Sequence, residues 1–270
     1  CWQTPRGHAR WRGSARSQYQ RDGSQAHQRK FIKRKDLLGG RHRHRHHSTR
    51  FFRYTRRILD FRYIAIEGPI AVGKCELTER LATLLNASIV LDNPENPFLN
   101  DFYEGRAGAA FQTQLFSLLA RHRQQATLRQ TDLFSRLTLS DYLFDKDKIY
   151  AYLNLDDNEL FIYQRLYDVL AQDVVNPDLV IYLQSPTEVL RDRIRQRSRP
   201  DEPTPDLDYL VELNEAYNHF FFHYTTTPLL VVETTEFGVH WEDHMLEDLI
   251  KQLKTIEGGT QYYVPRTGGA

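Results

Sequence analysis

Cysteine and long apolar runs are scarce in this sequence. Among its 270 residues only Cys1 and Cys75 are cysteines, which excludes a disulfide framework and is typical of a reducing compartment. No apolar run reaches the length of a membrane-spanning helix, and no signal-peptide core is present. We therefore expect a cytoplasmic protein without a membrane partner, and the chain is long enough for one α/β domain with a sizeable core.

Positive charge is concentrated at the start of the chain, although the net charge of the whole is only +1. Residues 1–57 contain 17 of the 36 Lys and Arg residues and 2 of the 35 acids, and they are rich in His, Gln and Ser. Few aliphatic residues and no sustained period predict a disordered basic tail. A basic arm could bind nucleic acid or a membrane surface, and its histidine run could bind stray metal. We favour a plainer interpretation, an upstream frame translated by mistake or part of a longer gene, and assign the tail no nucleic-acid partner.

A glycine-rich segment at 68–75 carries the clearest functional signal. It reads GPIAVGKC and departs at one position from the phosphate-binding P-loop pattern GxxxxGK[ST]. An apolar run precedes it and leucines at helical spacing follow it, so the motif lies between a strand and a helix. The alternative is an ordinary glycine-rich βα turn. The P-loop interpretation predicts ATP-binding residues: Gly68, Ala71, Val72, Gly73, Lys74 and Cys75.

Apolar strands alternate with helices from Arg62 onward. Strands are predicted at 63–67, 88–91, 137–140, 179–184 and 229–233. Helices are predicted at 74–86, 111–129, 147–154, 159–175, 186–197, 206–224 and 241–256. This alternation favours an α/β fold with a five-stranded parallel sheet flanked by helices, and ligands at the carboxyl ends of the strands. We expect one domain over residues 58–257 and a flexible tail over 258–270.

Acidic residues near two strand ends are candidates for the chemistry of phosphoryl transfer. Glu95 follows the second strand, where a carboxylate could take a proton from an acceptor hydroxyl. Spacing alone favours the simpler interpretation that Glu95 is a surface acid in a turn. Asp141 ends the third strand, and it is either a ligand of a metal or of its waters, or a helix N-cap.

An alternating run of arginines and a Phe–Gln pair are further candidates. Charge runs are usually solvated faces, but the arginine density before Pro200 favours a mobile lid over phosphates, because guanidinium forks pair with phosphate oxygens. The run comprises Arg191, Arg193, Arg195, Arg197 and Arg199. Phe111 could stack on a base and Gln112 could pair with it, or they are a core aromatic beside a surface amide.

These segments together resemble the deoxyribonucleoside kinases, and most of all the bacterial deoxyadenosine/deoxyguanosine kinases, over roughly residues 62–257. The resemblance rests on several short motifs in one order, each weak when taken alone. They are GPIAVGK (68–74), ENPFL (95–99), FY (102–103), FQTQ (111–114), SDYLF (140–144) with KD (146–147), IYL (181–183) and RIRQRSR (193–199).

The resemblance implies a P-loop kinase fold with an Arg-rich lid over residues 58–257, a homodimer, and ATP with Mg²⁺. The reaction it implies is ATP-dependent phosphorylation of a deoxynucleoside 5′-hydroxyl, with deoxyadenosine or deoxyguanosine as acceptor. It also implies that Glu95 is the general base, that Gln112 pairs with the base beside Phe111, and that Asp147 contacts the base. The sugar 3′-hydroxyl would be held by Tyr103 and by Asp201 or Glu202.

The remaining implied roles concern the phosphates. Asp141 falls where the family places an acid near Mg²⁺. Catalytic contacts to the transferred phosphate are implied for Lys74 and for the lid residues Arg193, Arg195 and Arg197, and further ATP contacts for Arg197 and Arg199. Two departures from the family pattern stand out: Tyr142 occupies the position of an expected arginine, and Cys75 replaces a hydroxyl that would face Mg²⁺.

Two other functions remain open on the sequence. A nucleoside-monophosphate kinase shares the P-loop and an Arg-rich lid, but it fits the segment around Glu95 and the Phe111–Gln112 pair less well. A non-catalytic nucleotide-binding subunit with a kinase fold is favoured by Cys75. The retained Lys74 and arginine run count against that subunit.

Replacing Cys75 tests the metal site. Mg²⁺ is a hard cation that prefers oxygen ligands, and a thiol is a poor substitute. We expect Cys75→Thr to raise the activity and to lower the Mg²⁺ concentration that gives half-maximal rate. A magnesium titration of both proteins measures this, and superimposable curves would refute it.

Overall fold

The structure is a computed structural model that describes residues 61–92, 95–131, 137–197, 205–236 and 240–266. The predictions for the basic tail of residues 1–57, for Arg199 and for Asp201 and Glu202 concern residues outside these ranges. The side chain of Arg197 is likewise outside the described set.

The strands of the described residues form one parallel sheet in the order β2-β3-β1-β4-β5-β6. Their bounds are β1 Tyr63–Glu67, β2 Ser88–Val90, β3 Thr138–Ser140, β4 Leu179–Gln184, β5 Leu229–Glu233 and β6 Thr260–Tyr263. β1 lies at the centre between β3 and β4, and all five of its residues are buried. A parallel strand covered on both faces reads as a continuous apolar run, as this one does.

Helices cover both faces of the sheet. Their bounds are α1 Lys74–Leu85, α2 Leu99–Tyr103, α3 Ala109–Thr131, α4 Lys146–Asn154, α5 Asp157–Leu170, α6 Thr187–Arg197, α7 Leu207–Phe222 and α8 Asp243–Leu253, with a short 3₁₀ turn at Ala171–Asp173. One core packs α1, α6 and α8 against side chains such as Ile64 and Ile66. The other packs α4 and α7 against Tyr63 and Ala65, because successive residues of a strand face opposite sides.

Local sequence signals set several helix ends. Asp156 caps α5 in a capping box, in which its side chain accepts from the backbone N–H of Glu159 and the Glu159 side chain accepts from the N–H of Asp156. Asp206 caps α7 by accepting from the backbone of Leu207. Asp178 ties the start of β1 to the start of β4, since its carboxylate accepts from Arg62 N at 2.6 Å and Tyr63 N at 2.9 Å.

The predicted fold class is confirmed, with one correction to the sheet. The five predicted strands are present within one residue of their expected ends. The segment expected to be a flexible tail contains β6, which pairs with β5 from Leu229↔Thr260 to Val232↔Tyr263, so the sheet has a sixth strand. The short helix α2 is also additional to the prediction. Within the described residues, no helix is long and apolar enough to cross a membrane.

Removal of β6 should destabilise the protein. A chain ending at Glu257 loses the backbone hydrogen bonds of the β5–β6 pair and the packing of Tyr263 against the core. At about 1 kcal/mol for each hydrogen bond, the free energy of unfolding should fall by more than about 2 kcal/mol. Urea denaturation measures this. A chain ending at Arg266 is the control and should match the full chain; equal stability of all three would contradict the role of β6.

Candidate active site

The loop between β1 and α1 is built for close approach of backbone atoms. Gly68 has φ 155°. A Cβ atom at this position would lie 2.4 Å from the carbonyl oxygen of Leu183 on β4 and 2.9 Å from a methyl of Val72. Gly73 precedes α1 in a left-handed conformation with φ 102°, which glycine adopts readily. Two of the predicted loop glycines are therefore required by geometry, and the loop presents the N-terminus of α1 to a phosphate.

Lys74 folds back over this loop. Its Nζ donates to the carbonyl oxygens of Gly68 at 2.5 Å and Pro69 at 3.0 Å, and it lies 4.0 Å from Glu67 Oε1. Burial lowers the pKa of Lys74 to about 8, and the nearby positive charge of Lys146 acts in the same direction. An anion bound at the loop would favour the charged form of Lys74 and so reverse this effect.

Glu67, the last residue of β1, is a carboxylate with no exposed surface. Its Oε1 accepts from Gly68 N at 2.8 Å and from the Tyr217 hydroxyl at 3.3 Å, and its Oε2 accepts from Leu143 N at 2.8 Å. These partners belong to the P-loop, to the segment that follows β3, and to α7. One buried carboxylate thus fixes three segments that surround the carboxyl edge of the sheet.

Asp92 follows β2 and is paired with two cations. Arg121 of α3 donates to both of its oxygens at 3.0 Å, and the Lys146 ammonium donates to Oδ2 at 2.8 Å. Burial alone would raise the pKa of Asp92, but Lys146 and Arg121 together hold it well below its usual range. This carboxylate therefore stays ionised at neutral pH.

Asp147 and Gln114 lie on the other side of Arg121. Arg121 Nη1 is 2.9 Å from Asp147 Oδ2, and the Gln114 amide donates to the carbonyl oxygen of Asp147 at 2.9 Å and also to its carboxylate. Asp147 has no exposed surface, and burial raises its pKa while Arg121 opposes the rise. A carboxylate, a guanidinium and an amide together supply the acceptors and donors that a nucleobase edge requires.

Asp141 lies between the P-loop and Asp92. Its Oδ1 accepts from Asp92 N at 2.6 Å, and its pKa is raised, chiefly by burial. Partial burial and then the Asp141 carboxylate raise the pKa of the Cys75 thiol, so the thiol stays protonated at neutral pH. A protonated thiol does not suit Mg²⁺, whereas a single carboxylate completed by nucleotide phosphates and waters does. No three His, Cys, Asp or Glu side chains within the described ranges form a metal-binding group.

Two of the predicted site residues are exposed to solvent. Glu95 is exposed, and Gln112 lies on the exposed side of α3. Their neighbours Asp92 and Gln114, three and two residues away, are the ones that join the charged cluster. The roles of Glu95 as general base and of Gln112 in base pairing stay predictions.

Phe111 and Tyr103 both lie near other residues of the protein. Phe111 packs against the core formed by α3, α4 and α5. Tyr103, at the end of α2, lies close enough to Tyr209 of α7 for its phenol to affect the pKa of Tyr209, which burial mainly raises. The hydroxyl of Tyr209 accepts from Asn154 at 3.3 Å. Contacts of Phe111 with a base and of Tyr103 with a sugar stay predictions.

The described arginines of the predicted lid have other partners. Arg193 is buried, and its guanidinium donates to the carbonyl oxygen of Thr234 and, at 3.2 Å, to the hydroxyl of that residue. It thereby joins α6 to the segment that follows β5. Arg195 is 68% exposed and forms an ion pair with Asp192 at 3.8 Å. The phosphate contacts predicted for these arginines stay predictions.

Sequence reasoning assigned no individual role to Glu67, Asp92, Gln114, Arg121 or Lys146. The helical spacing of polar residues could have identified two of them, Gln114 and Arg121. Gln114 and Arg121 are seven residues apart, so they lie on one face of α3, together with the buried residues Leu118, Gln125 and Leu128. Polar residues at the core positions of a helical pattern predict a buried site.

A glycine loop before a helix N-terminus, a lysine beside it and a carboxylate held at the next strand end are typical of an α/β phosphotransferase. A family profile described as "Deoxynucleoside kinase" matches residues 64–256. The chain therefore belongs to the deoxynucleoside kinase family, enzymes that transfer phosphate to deoxynucleosides.

The individual relatives found by comparison are also named as deoxynucleoside kinases. A deoxyguanosine kinase of Bacillus subtilis is 32% identical over 57% of this chain and 76% of its own length. A deoxyadenosine kinase of Dictyostelium discoideum is 33% identical over 60% of this chain and 67% of its own length. The structure of a deoxyadenosine kinase from M. mycoides, solved with dCMP and dCDP, superposes with a TM-score of 0.61 at 25% identity, covering 72% of this chain and 100% of that one.

Proposed function

We propose that this chain transfers the γ-phosphoryl group of ATP to the 5′-hydroxyl of a purine deoxynucleoside. The observation that carries the proposal is the Arg121 guanidinium, which pairs with Asp92 and Asp147 at once. A base-recognition group and a catalytic carboxylate are thereby held in fixed relation beside the P-loop. The purine preference is supported by the names of two relatives above 30% identity, a deoxyguanosine kinase and a deoxyadenosine kinase.

The base-recognition group consists of Gln114, Arg121 and Asp147. The amide oxygen of Gln114 can accept a hydrogen bond from a base, and the Asp147 carboxylate can accept from an exocyclic amino group. Because these groups are buried, an acceptor that leaves them unpaired would bind far more weakly. Gln114 replaces Gln112 in the role that the family resemblance implied.

Asp92 replaces Glu95 as the carboxylate that orients and deprotonates the 5′-hydroxyl. It lies two residues after β2, at the edge of the sheet where the P-loop also lies, and its ion pairs orient it. Because these pairs also make it a weak base, it takes the proton only as the bond to phosphorus forms and the hydroxyl becomes acidic. In the transfer, a bond forms between the 5′-oxygen and the γ-phosphorus. The bond from that phosphorus to the β–γ bridging oxygen breaks, ADP leaves, and the proton of the hydroxyl passes to Asp92.

The phosphates of ATP are assigned to the P-loop and Lys74, and Mg²⁺ to Asp141. Magnesium supplies charge neutralisation on the transferred phosphate when it is bound. Asp141 is its one carboxylate ligand at this edge in the proposal, with phosphate oxygens and waters completing the shell. Thr78 is too far along α1 to replace the hydroxyl absent at Cys75, since its own hydroxyl donates to the carbonyl oxygen of Lys74 at 2.9 Å.

A second copy of the chain is the proposed partner. Three large apolar side chains of α5 are strongly exposed: Phe161 at 58%, Ile162 at 54% and Val169 at 63%. Association of two copies through this helix would remove them from water, which supports the expected homodimer.

Direct assay tests the reaction. The full chain is incubated with γ-labelled ATP, Mg²⁺ and each of the four deoxynucleosides, and the products are separated. We expect labelled 5′-monophosphate from deoxyadenosine or deoxyguanosine. Product from pyrimidine deoxynucleosides alone would contradict the purine preference. ATP binding without any product would favour the non-catalytic nucleotide-binding subunit, and product from deoxynucleoside monophosphates would favour a monophosphate kinase.

A pair of acid-to-amide changes separates the two candidate bases. Asp92→Asn removes the proton acceptor and should lower kcat by about 100-fold or more, the usual scale for a general base. Glu95→Gln, the matched control in an exposed carboxylate, should change kcat by less than about threefold. Steady-state kinetics measure both, with circular dichroism to verify folding. The reverse pattern would restore Glu95 as the base.

A further inference from the structure

Lys146, the first residue of α4, holds a buried ammonium group. The residue is 8% exposed, and the partner that its Nζ contacts at 2.8 Å is Asp92 Oδ2. Burial would lower the pKa of Lys146, but Asp92 and Glu67 more than offset this, so the pKa is raised. The lysine therefore remains charged, and it brings a full positive charge to the carboxyl edge of the sheet.

Asp92 also binds a second cation, Arg121. Arg121 already binds both oxygens of Asp92 in a bidentate pair, which is the strongest arrangement available to a carboxylate. Arg121 is shared with Asp147, so Lys146 supplies the second positive charge for these two carboxylates and places it at the proposed catalytic carboxylate.

Lys146 and Lys74 are like charges that face the same edge. Lys74 lies over the P-loop, while Lys146 lies beside Asp92, and the charge of Lys146 adds to burial in lowering the pKa of Lys74. The residue directly after Asp141 adds no positive charge at this edge, because it is Tyr142, which is fully buried and uncharged. Two ammonium groups that repel one another in a partly dry site are stabilised by an anion placed between them.

We propose that Lys146 binds the transferred γ-phosphoryl group, as a second catalytic lysine opposite Lys74. This role rests on the proposed function, in which Asp92 receives the proton of the 5′-hydroxyl. Lys146 retains its own proton throughout. It donates hydrogen bonds to the equatorial oxygens of the phosphoryl group while charge develops on them, and its contact with Asp92 aligns the acceptor oxygen with the phosphorus.

A comparison of ATP with ADP, which lacks the γ-phosphate, tests this contact. Lys146→Gln removes the charge at nearly constant size, and Lys148→Gln is the matched control, since Lys148 is on the same helix, 38% exposed and paired with Asp145. We expect Lys146→Gln to lower kcat by about 100-fold, as loss of one group that stabilises developing charge does. It should weaken ATP binding about tenfold, the scale of one hydrogen bond to a charged group, and change ADP binding less than about twofold. Lys148→Gln should leave all three quantities within about twofold of the wild-type values.

The outcomes distinguish this proposal from the proposed function. If Lys146→Gln is folded and keeps its kcat and its ATP affinity, or loses ATP and ADP affinity equally, Lys146 has no contact with the γ-phosphate. If the wild-type chain phosphorylates no deoxynucleoside, the proposed function fails, yet the ATP and ADP affinities still test the lysine. Should the variant not fold, ¹³C NMR of lysine side chains in the wild-type chain gives the answer. The Lys146 resonance should shift with ATP and not with ADP, and equal shifts would overturn the proposal.

Discussion

The geometry of the site depends on one buried carboxylate, that of Glu67. It accepts hydrogen bonds from the P-loop, from the backbone after β3 and from α7, and it lies close to Lys74. A carboxylate without exposed surface is costly unless all its oxygens are satisfied, and here both oxygens accept at 2.8 Å from backbone donors. An amide could not replace it, because its nitrogen would meet a donor. The segments that carry the phosphate loop and the residues from Asp141 to Asp147 are thus positioned by the same side chain.

Arg121 extends this connection from the phosphate side to the base side. Its guanidinium holds Asp92 with two hydrogen bonds and Asp147 with a third contact. In the proposed roles, a base that displaces Asp147 also disturbs the carboxylate that orients the acceptor hydroxyl. Recognition of the base and alignment of the reacting oxygen are then consequences of one rigid, planar group, which a lysine with its single point of charge could not provide. Selectivity in such a site is expressed in kcat as well as in binding.

The strands could be predicted from the sequence because buried parallel strands are short apolar runs, and 63–67, 179–184 and 229–233 have no competing pattern. β6 could not, since the sequence Thr260–Tyr263 follows two glycines and alternates exposed with half-buried residues at the sheet edge. The site was predictable at the P-loop, where glycine is required by steric limits. The burial of Gln114 and the ion pairs of Asp92 were not predictable, because they depend on which side of a helix or turn faces inward. Charged residues such as Arg121 and Lys146 are assigned to solvent by default, and only tertiary contacts overrule that assignment.

The position of β1 at the centre of the sheet has a consequence for synthesis on the ribosome. Its neighbours arrive late: Tyr63 pairs with Thr138 and Ile64 with Leu179, and the Asp178 carboxylate that fixes Tyr63 N is 115 residues away. The tight turn at Gly68 likewise packs closely against the carbonyl of Leu183 on β4. Contacts so distant in sequence form slowly and only after the intervening chain has been made. A nascent chain that ends before β4 therefore contains every residue of the phosphate-binding motif and still lacks the surface on which that motif takes its shape.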